Sequence, residues 1–125
     1  MNDFKEFKGK KGIVRLFKAL GYSRDGLASA WQNEAAFREE TFLAVVTIPL
    51  ALFLGDNGIE RALLIGSILL ILIVEILNSG LEAVVDKASP ELNELAKRAK
   101  DMGSAAVLLS LLNAAIIWCC VLWPG

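Results

Sequence analysis

The chain contains no histidine, which excludes Ser-His-Asp nucleophilic machinery and histidine-ligated metal centres. Its two cysteines, Cys119 and Cys120, are adjacent within an apolar C-terminal run. They read as reduced membrane-helix side chains rather than a disulfide framework or a metal site. No charge sign dominates: 13 Lys and Arg stand against 14 Asp and Glu, a net charge of -1. The basic footprint of a nucleic-acid binder is therefore missing. There is no Walker motif (G-x-x-x-x-G-K-[ST]) and no protein-kinase Gly-rich loop, so a nucleotide site here follows neither plan. Residues 1–11 are Lys- and Gly-rich and lack the apolar core of a signal peptide. They are expected to form a flexible basic N-terminus, leaving a first membrane helix to direct insertion.

What the chain has in quantity is apolar side chains: 55% of its 125 residues are hydrophobic, with a mean hydropathy of +0.53. That is too apolar for an ordinary soluble domain, and the length suits one domain, here residues 12–125. Ile13, Leu16, Phe17 and Leu20 recur at helical spacing, and Leu27 and Trp31 extend the apolar face. Residues 12–32 thus read as an interfacial amphipathic helix, bent near Gly21. A first span follows at 34–54. Its apolar centre is short, so Glu34, Arg38, Glu39 and Glu40 must lie at the membrane boundary. Pro49 predicts a kink in it. Gly55-Asp56-Asn57-Gly58 is a compact turn. A second span covers 59–86 and a third 90–123, the latter opened by Ser89 as N-cap with Pro90 at the first helical position. Trp118 and Trp123 fit an interfacial aromatic belt. Lys and Arg concentrate before span one and between spans two and three, whereas Arg61 stands alone between spans one and two. The positive-inside rule then places the N-terminus and the second loop in the cytoplasm.

Span two holds the most informative feature. Residues 62–77 are nearly all Leu, Ile, Val, Gly and Ser, yet Glu75 lies among them. An ionisable group at that depth costs roughly 2.5–3.5 kcal/mol on insertion scales, and is tolerated where it faces a protein interior and works there. Asn78, Glu82 and Asp86 follow at spacings of three, seven and eleven, which puts all four on one narrow stripe of a helix. Carboxylates near the surface can hold a hard cation such as Mg²⁺. Lysine and arginine beside them can hold phosphates, and a carboxylate in an apolar setting can act as a general base. Glu34, Arg38, the stripe, Lys100, Asp101, Arg15, Tyr22 and Ser23 are the parts available for phosphoryl transfer. Each has a plainer reading: Glu34–Arg38 as a helix-face ion pair, Lys97, Arg98 and Lys100 as topology charges, Tyr22 and Trp31 as interface anchors. A proton-relay carboxylate in an ion-coupled transporter obeys the same physics, so the residues alone leave transport and catalysis both open.

Several segments carry a resemblance. They are Lys18-Ala19-Leu20-Gly21-Tyr22-Ser23, the run from Ala30-Trp31-Gln32-Asn33-Glu34 to Arg38, Val74-Glu75-Ile76-Leu77-Asn78-Ser79, Glu82-Ala83-Val84-Val85-Asp86, and Arg98-Ala99-Lys100-Asp101-Met102-Gly103-Ser104. Together they resemble the prokaryotic integral-membrane diacylglycerol kinase family, in order, over about residues 14–123. The resemblance implies an all-α inner-membrane protein with a surface helix and three transmembrane helices, assembled as a homotrimer with sites shared between chains. It implies transfer of the γ-phosphoryl of Mg·ATP to the free hydroxyl of diacylglycerol on the cytoplasmic side, giving phosphatidic acid, with no nucleic-acid partner. In that reading Glu75 is the general base with Asn78 beside it, and Glu34 and Glu82 hold the divalent metals. Arg15, Tyr22, Asp86, Lys100 and Asp101, with those two carboxylates, contact ATP. Arg15, Ser23, Trp31, Arg38, Glu40, Glu75 and Ser104 line the lipid substrate's side. Arg24-Asp25 stand where the family has an aromatic and a base, and Gly80 where alanine is usual. Polyprenol kinases of the same fold carry a histidine-containing pattern after the first-span glutamate. Here Ala35-Ala36-Phe37-Arg38 follows Glu34 with no histidine, which favours diacylglycerol as acceptor over undecaprenol. A non-enzymatic, ion-coupled membrane protein is the remaining alternative.

Overall fold

The structure is a computed structural model and describes residues 11–91 and 93–124. The expected flexible segment falls outside these, except that Lys11 begins the first helix. Among the described residues there are four helices and no strand: α1 Lys11–Asn33, α2 Ala35–Leu54, α3 Gly58–Ala88 and α4 Glu94–Leu122. The central element is α3, which packs along α2 on one side and α4 on the other, while α1 touches α2 and α3 lightly.

The connections explain the boundaries. Glu34 alone is extended (φ -121°, ψ 107°) and separates α1 from α2. Helix α1 itself is unbroken through Gly21. After α2, Gly55 makes a close turn where a Cβ would stand 2.6 Å from Arg61 Cγ, so a side chain there would force the arginine aside. Arg61 Nε donates to the Leu52 carbonyl at 3.1 Å, satisfying one of the orphan carbonyls that end α2. Asn57 caps α3 by accepting from the Glu60 amide at 2.9 Å, and the Glu60 carboxylate reaches back to the Asp56 amide at 3.0 Å.

The start of α4 corrects the sequence reading. Asn93, not Ser89, is its N-cap, accepting from the Ala96 amide at 2.8 Å. Ser89 ends α3 through its own amide, bonded to the Val85 carbonyl. Its hydroxyl donates to the Glu91 carbonyl at 2.8 Å and accepts from Asn93 Nδ2 at 2.6 Å. The Ser89 side chain is thus engaged in the connection, and Pro90 lies before the helix.

A small core forms from Ala44 of α2, Ile68 and Ile71 of α3 and Ala114 of α4, with Trp118 packed against it. Trp118 is the second correction. Its indole Nε1 donates to Ser67 Oγ at 3.1 Å and lies 3.2 Å from the Leu64 carbonyl. It follows Ser110 and Ala114 at four-residue intervals, so it occupies the α4 stripe that faces α3 rather than a solvent interface. Trp123 is exposed.

Most large apolar side chains face outward, from Phe42 and Phe53 on α2 to Ile73 on α3 and Leu109 on α4. Among the described residues two helices, α3 and α4, are long and apolar enough to cross a bilayer. Only 28% of the apolar stretch of α3 and 11% of that of α4 is buried, unlike the core helices of a soluble domain. In α2 the charges Arg38, Glu39 and Glu40 leave only residues 41–54 uncharged.

Candidate functional site

Glu75 is 5% exposed and lies on the inner face of α3. That orientation follows from periodicity. Leu64, Ile68 and Ile71 form the buried stripe of α3, and Glu75, Asn78 and Glu82 continue it by further steps of three or four residues. Exposure rises along the continuation: Asn78 and Glu82 are half-buried and Asp86 is exposed. The stripe is therefore a ramp of polar groups from the apolar interior to water.

Two other helices, α2 with its N-cap residue and α4, contribute groups to it. Glu40 of α2 lies beside Glu75, the two carboxyl groups within hydrogen-bonding reach of each other. Glu34 occupies the N-cap position of α2 but makes no side-chain cap bond, which leaves its carboxylate free for other work. Glu82 stands within electrostatic reach of Glu34, Lys100, Glu75 and Asp86. From α4, Lys100 Nζ bonds Asp86 Oδ1 at 2.6 Å. Glu34, Glu40, Glu75, Asn78, Glu82, Asp86 and Lys100 thus form one cluster at the junction of the four helices.

The remaining expected site residues fall elsewhere within the chain. Arg15 on the early turns of α1, and Tyr22 and Ser23 at its middle, are exposed. Asp101 pairs with Lys97 at 2.7 Å rather than turning with Lys100 toward α3. Trp31 and Ser104 are exposed. Arg38 does not pair with Glu34; its Nη1 donates to the Trp31 carbonyl at 2.6 Å and the Gln32 carbonyl at 3.4 Å. It closes the end of α1, where carbonyls lack helical partners, and ties α1 to α2 across the Glu34 joint.

Two features escaped sequence reasoning. Glu40 was expected on the lipid side, and its neighbour turns out to be Glu75; helix spacing within α2 carries no information about its register against α3. Gly103 presses against Asn78, although it lay inside a quoted motif without any assigned part. A groove of about 370 Å³ between α1 and α3 runs past Gly26, Ser29, Glu34, Ile76, Ser79 and Gly80. The Ser79 hydroxyl is buried without a partner.

Among the described residues no three carboxylate or thiol side chains converge into a metal cage. Glu34 and Glu82 nevertheless fit Mg²⁺ as nucleotides carry it, because this ion keeps several waters and takes only one or two carboxylates beside the substrate's phosphates. The cluster offers an acid-base carboxylate at depth, two carboxylates nearer water and an ammonium, which is the donor set of phosphoryl transfer.

Comparison with known proteins agrees with this chemistry. The family described as prokaryotic diacylglycerol kinase matches residues 21–122. Diacylglycerol kinase of Escherichia coli (strain K12) is 53% identical over 112 residues, 90% of this chain and 92% of the relative. The enzyme of that name from Haemophilus influenzae is 49% identical over 107 residues, 86% of this chain and 91% of its own. That from Pseudomonas aeruginosa is 48% identical over 116 residues, 93% and 94% respectively.

Proposed function

This chain belongs to the prokaryotic diacylglycerol kinase family, and from that premise we propose how its junction of helices carries out the reaction. The protein is an ATP-dependent diacylglycerol kinase of a bacterial membrane; the transporter and undecaprenol readings are not favoured. The observation that carries the mechanism is the inward, buried position of Glu75 among apolar residues of α3.

The free hydroxyl of diacylglycerol approaches from the lipid side and gives its proton to the Glu75 carboxylate. The hydroxyl oxygen bonds to the γ-phosphorus of ATP as the bond between that phosphorus and the β–γ bridging oxygen breaks. The products are phosphatidic acid and ADP, and Glu75 later passes its proton to water. Asn78, one turn along the same face, orients the carboxyl group and the incoming hydroxyl. Glu34 and Glu82 would hold Mg²⁺, which would neutralise charge on the phosphates. Lys100 and Asp86 meet the nucleotide at the wet end of the ramp, where a mobile ammonium can exchange its carboxylate partner for a phosphate. Glu40, beside Glu75, lines the place where the lipid hydroxyl arrives, and Ser104 serves the lipid side. Arg38 serves that side by holding α1, with its Ser23 and Trp31, in place.

Arg15, Tyr22 and Asp101 do not reach their own chain's cluster. They serve as nucleotide contacts from a neighbouring chain in a homotrimer. Three spans cross the membrane, with α2 completing the set by sinking its charged first turns at the boundary. The Lys and Arg asymmetry supports a cytoplasmic N-terminus and site. A mixed-micelle assay with labelled Mg·ATP tests the whole reading: phosphate should enter diacylglycerol. Label entering undecaprenol instead, or remaining on ATP, would refute it.

A further inference from the structure

The α3–α4 interface contains a contact that helix packing alone does not require. Gly103 of α4 is buried. A Cβ built on it would collide with Asn78 Oδ1, and would stand 3.1 Å from Asn78 Cγ and 3.2 Å from Leu81 Cδ2. The same α4 face places Ser110 and Ala114 in buried positions, so the two helices accommodate Cβ atoms further along. The demand for a bare backbone is local, opposite the Asn78 amide. Glycine is a poorer helix former than alanine, so its presence in the third turn of the helix calls for such a steric reason. Asn78 in turn has few places to go: its side chain is short, and its Oδ1 is buried without a hydrogen-bond partner.

We propose that Gly103 is a positioning residue for phosphoryl transfer, its missing side chain leaving the room in which the Asn78 amide stays aligned with Glu75. The inference rests on the kinase reading above, in which Asn78 and Glu75 act together. Adding a methyl group at position 103 drives the amide out of line without touching the nucleotide end of the ramp.

A double-mutant cycle on the full chain in lipid–detergent micelles tests this, using wild type, Gly103→Ala, Asn78→Ala and the double variant. Thermal midpoint, kcat, and KM for Mg·ATP and for diacylglycerol are measured for each. Gly103→Ala should lower kcat roughly ten- to a hundredfold while leaving KM for Mg·ATP within about twofold. In the Asn78→Ala background the same substitution should lower neither kcat nor the midpoint further, since the amide it displaces is gone. Equal penalties in both backgrounds would assign Gly103 to helix packing and overturn the proposal, as would wild-type kcat in Gly103→Ala. If Gly103→Ala fails to fold, recovery of folding in the double variant supports the proposal and continued failure overturns it. Absence of transfer by the wild type would instead sink the kinase reading, and the midpoint cycle would still report the Gly103–Asn78 contact.

Discussion

Glu75 and the two carboxylates nearer water make different demands, and substitution separates them. Glu75→Gln keeps shape and removes the base, so phosphoryl transfer should fall about 10²- to 10⁴-fold while the micelle-bound protein keeps its helix content and thermal midpoint. Turnover like that of the wild type would eliminate Glu75 as the proton acceptor. Glu34→Gln and Glu82→Gln each remove a charged oxygen from the proposed Mg²⁺ position. Each should raise the Mg²⁺ concentration needed for half-maximal activity, with kcat partly restored at saturating metal. A metal titration unchanged in both variants would make these residues structural. The absence of a side-chain cap bond at Glu34 makes the first of these a clean test, because little helix stability rides on that carboxylate. The polar ramp itself was legible residue by residue: on a long regular helix, spacing fixes which side chains share a face. The neighbours of that face were not. Glu40 beside Glu75 and Gly103 beside Asn78 depend on register between helices, and nothing local to either residue encodes it.

At the scale of the element, the helix ends show where local signals compete. Ser89-Pro90 reads as the start of α4, yet the helix begins at Asn93-Glu94. Ser89 is drawn into closing the connection through Glu91 and Asn93. Asn93→Ala should therefore cost about 1 kcal/mol, read as a lower midpoint in denaturant titration of the micelle-bound protein. A larger loss on Ser89→Ala than on Asn93→Ala would restore the other assignment. Trp118 teaches a similar lesson. Near the end of an apolar run, an aromatic suits an interfacial belt and an internal contact equally well by sequence. The α4 stripe of Ser110, Ala114 and Trp118, once seen against Ser67 and the Leu64 carbonyl, decides for the interior. Helix existence and approximate extent were readable because apolar length and turn residues dictate them; caps and facing partners were not.

For the whole molecule, the outward apolar surface and the dispersed site residues point the same way. A single chain leaves Phe42, Phe53, Ile73 and Leu109 uncovered, to be met by acyl chains or by further copies. It also leaves Arg15 and Tyr22 exposed, away from the cluster they are proposed to serve. If sites are completed between chains, an inactive Glu75→Gln protein co-assembled with Arg15→Ala should regain activity, because some sites then receive both wild-type residues. Recovery should scale with the statistics of mixing and vanish when subunit exchange is prevented. No recovery in well-mixed assemblies would mean that each chain builds its site alone.

The joint between α1 and α2 is one extended residue long, and Arg38 fastens it from the far side. Such a hinge has almost no slack. Any tilt imposed on the amphipathic rod by crowding or curvature of the lipids beneath it is delivered directly to the Glu34 carboxylate, with no loop to absorb the strain. If Glu34 holds Mg²⁺ as proposed, bilayer mechanics and ion capture share a single residue as their point of contact.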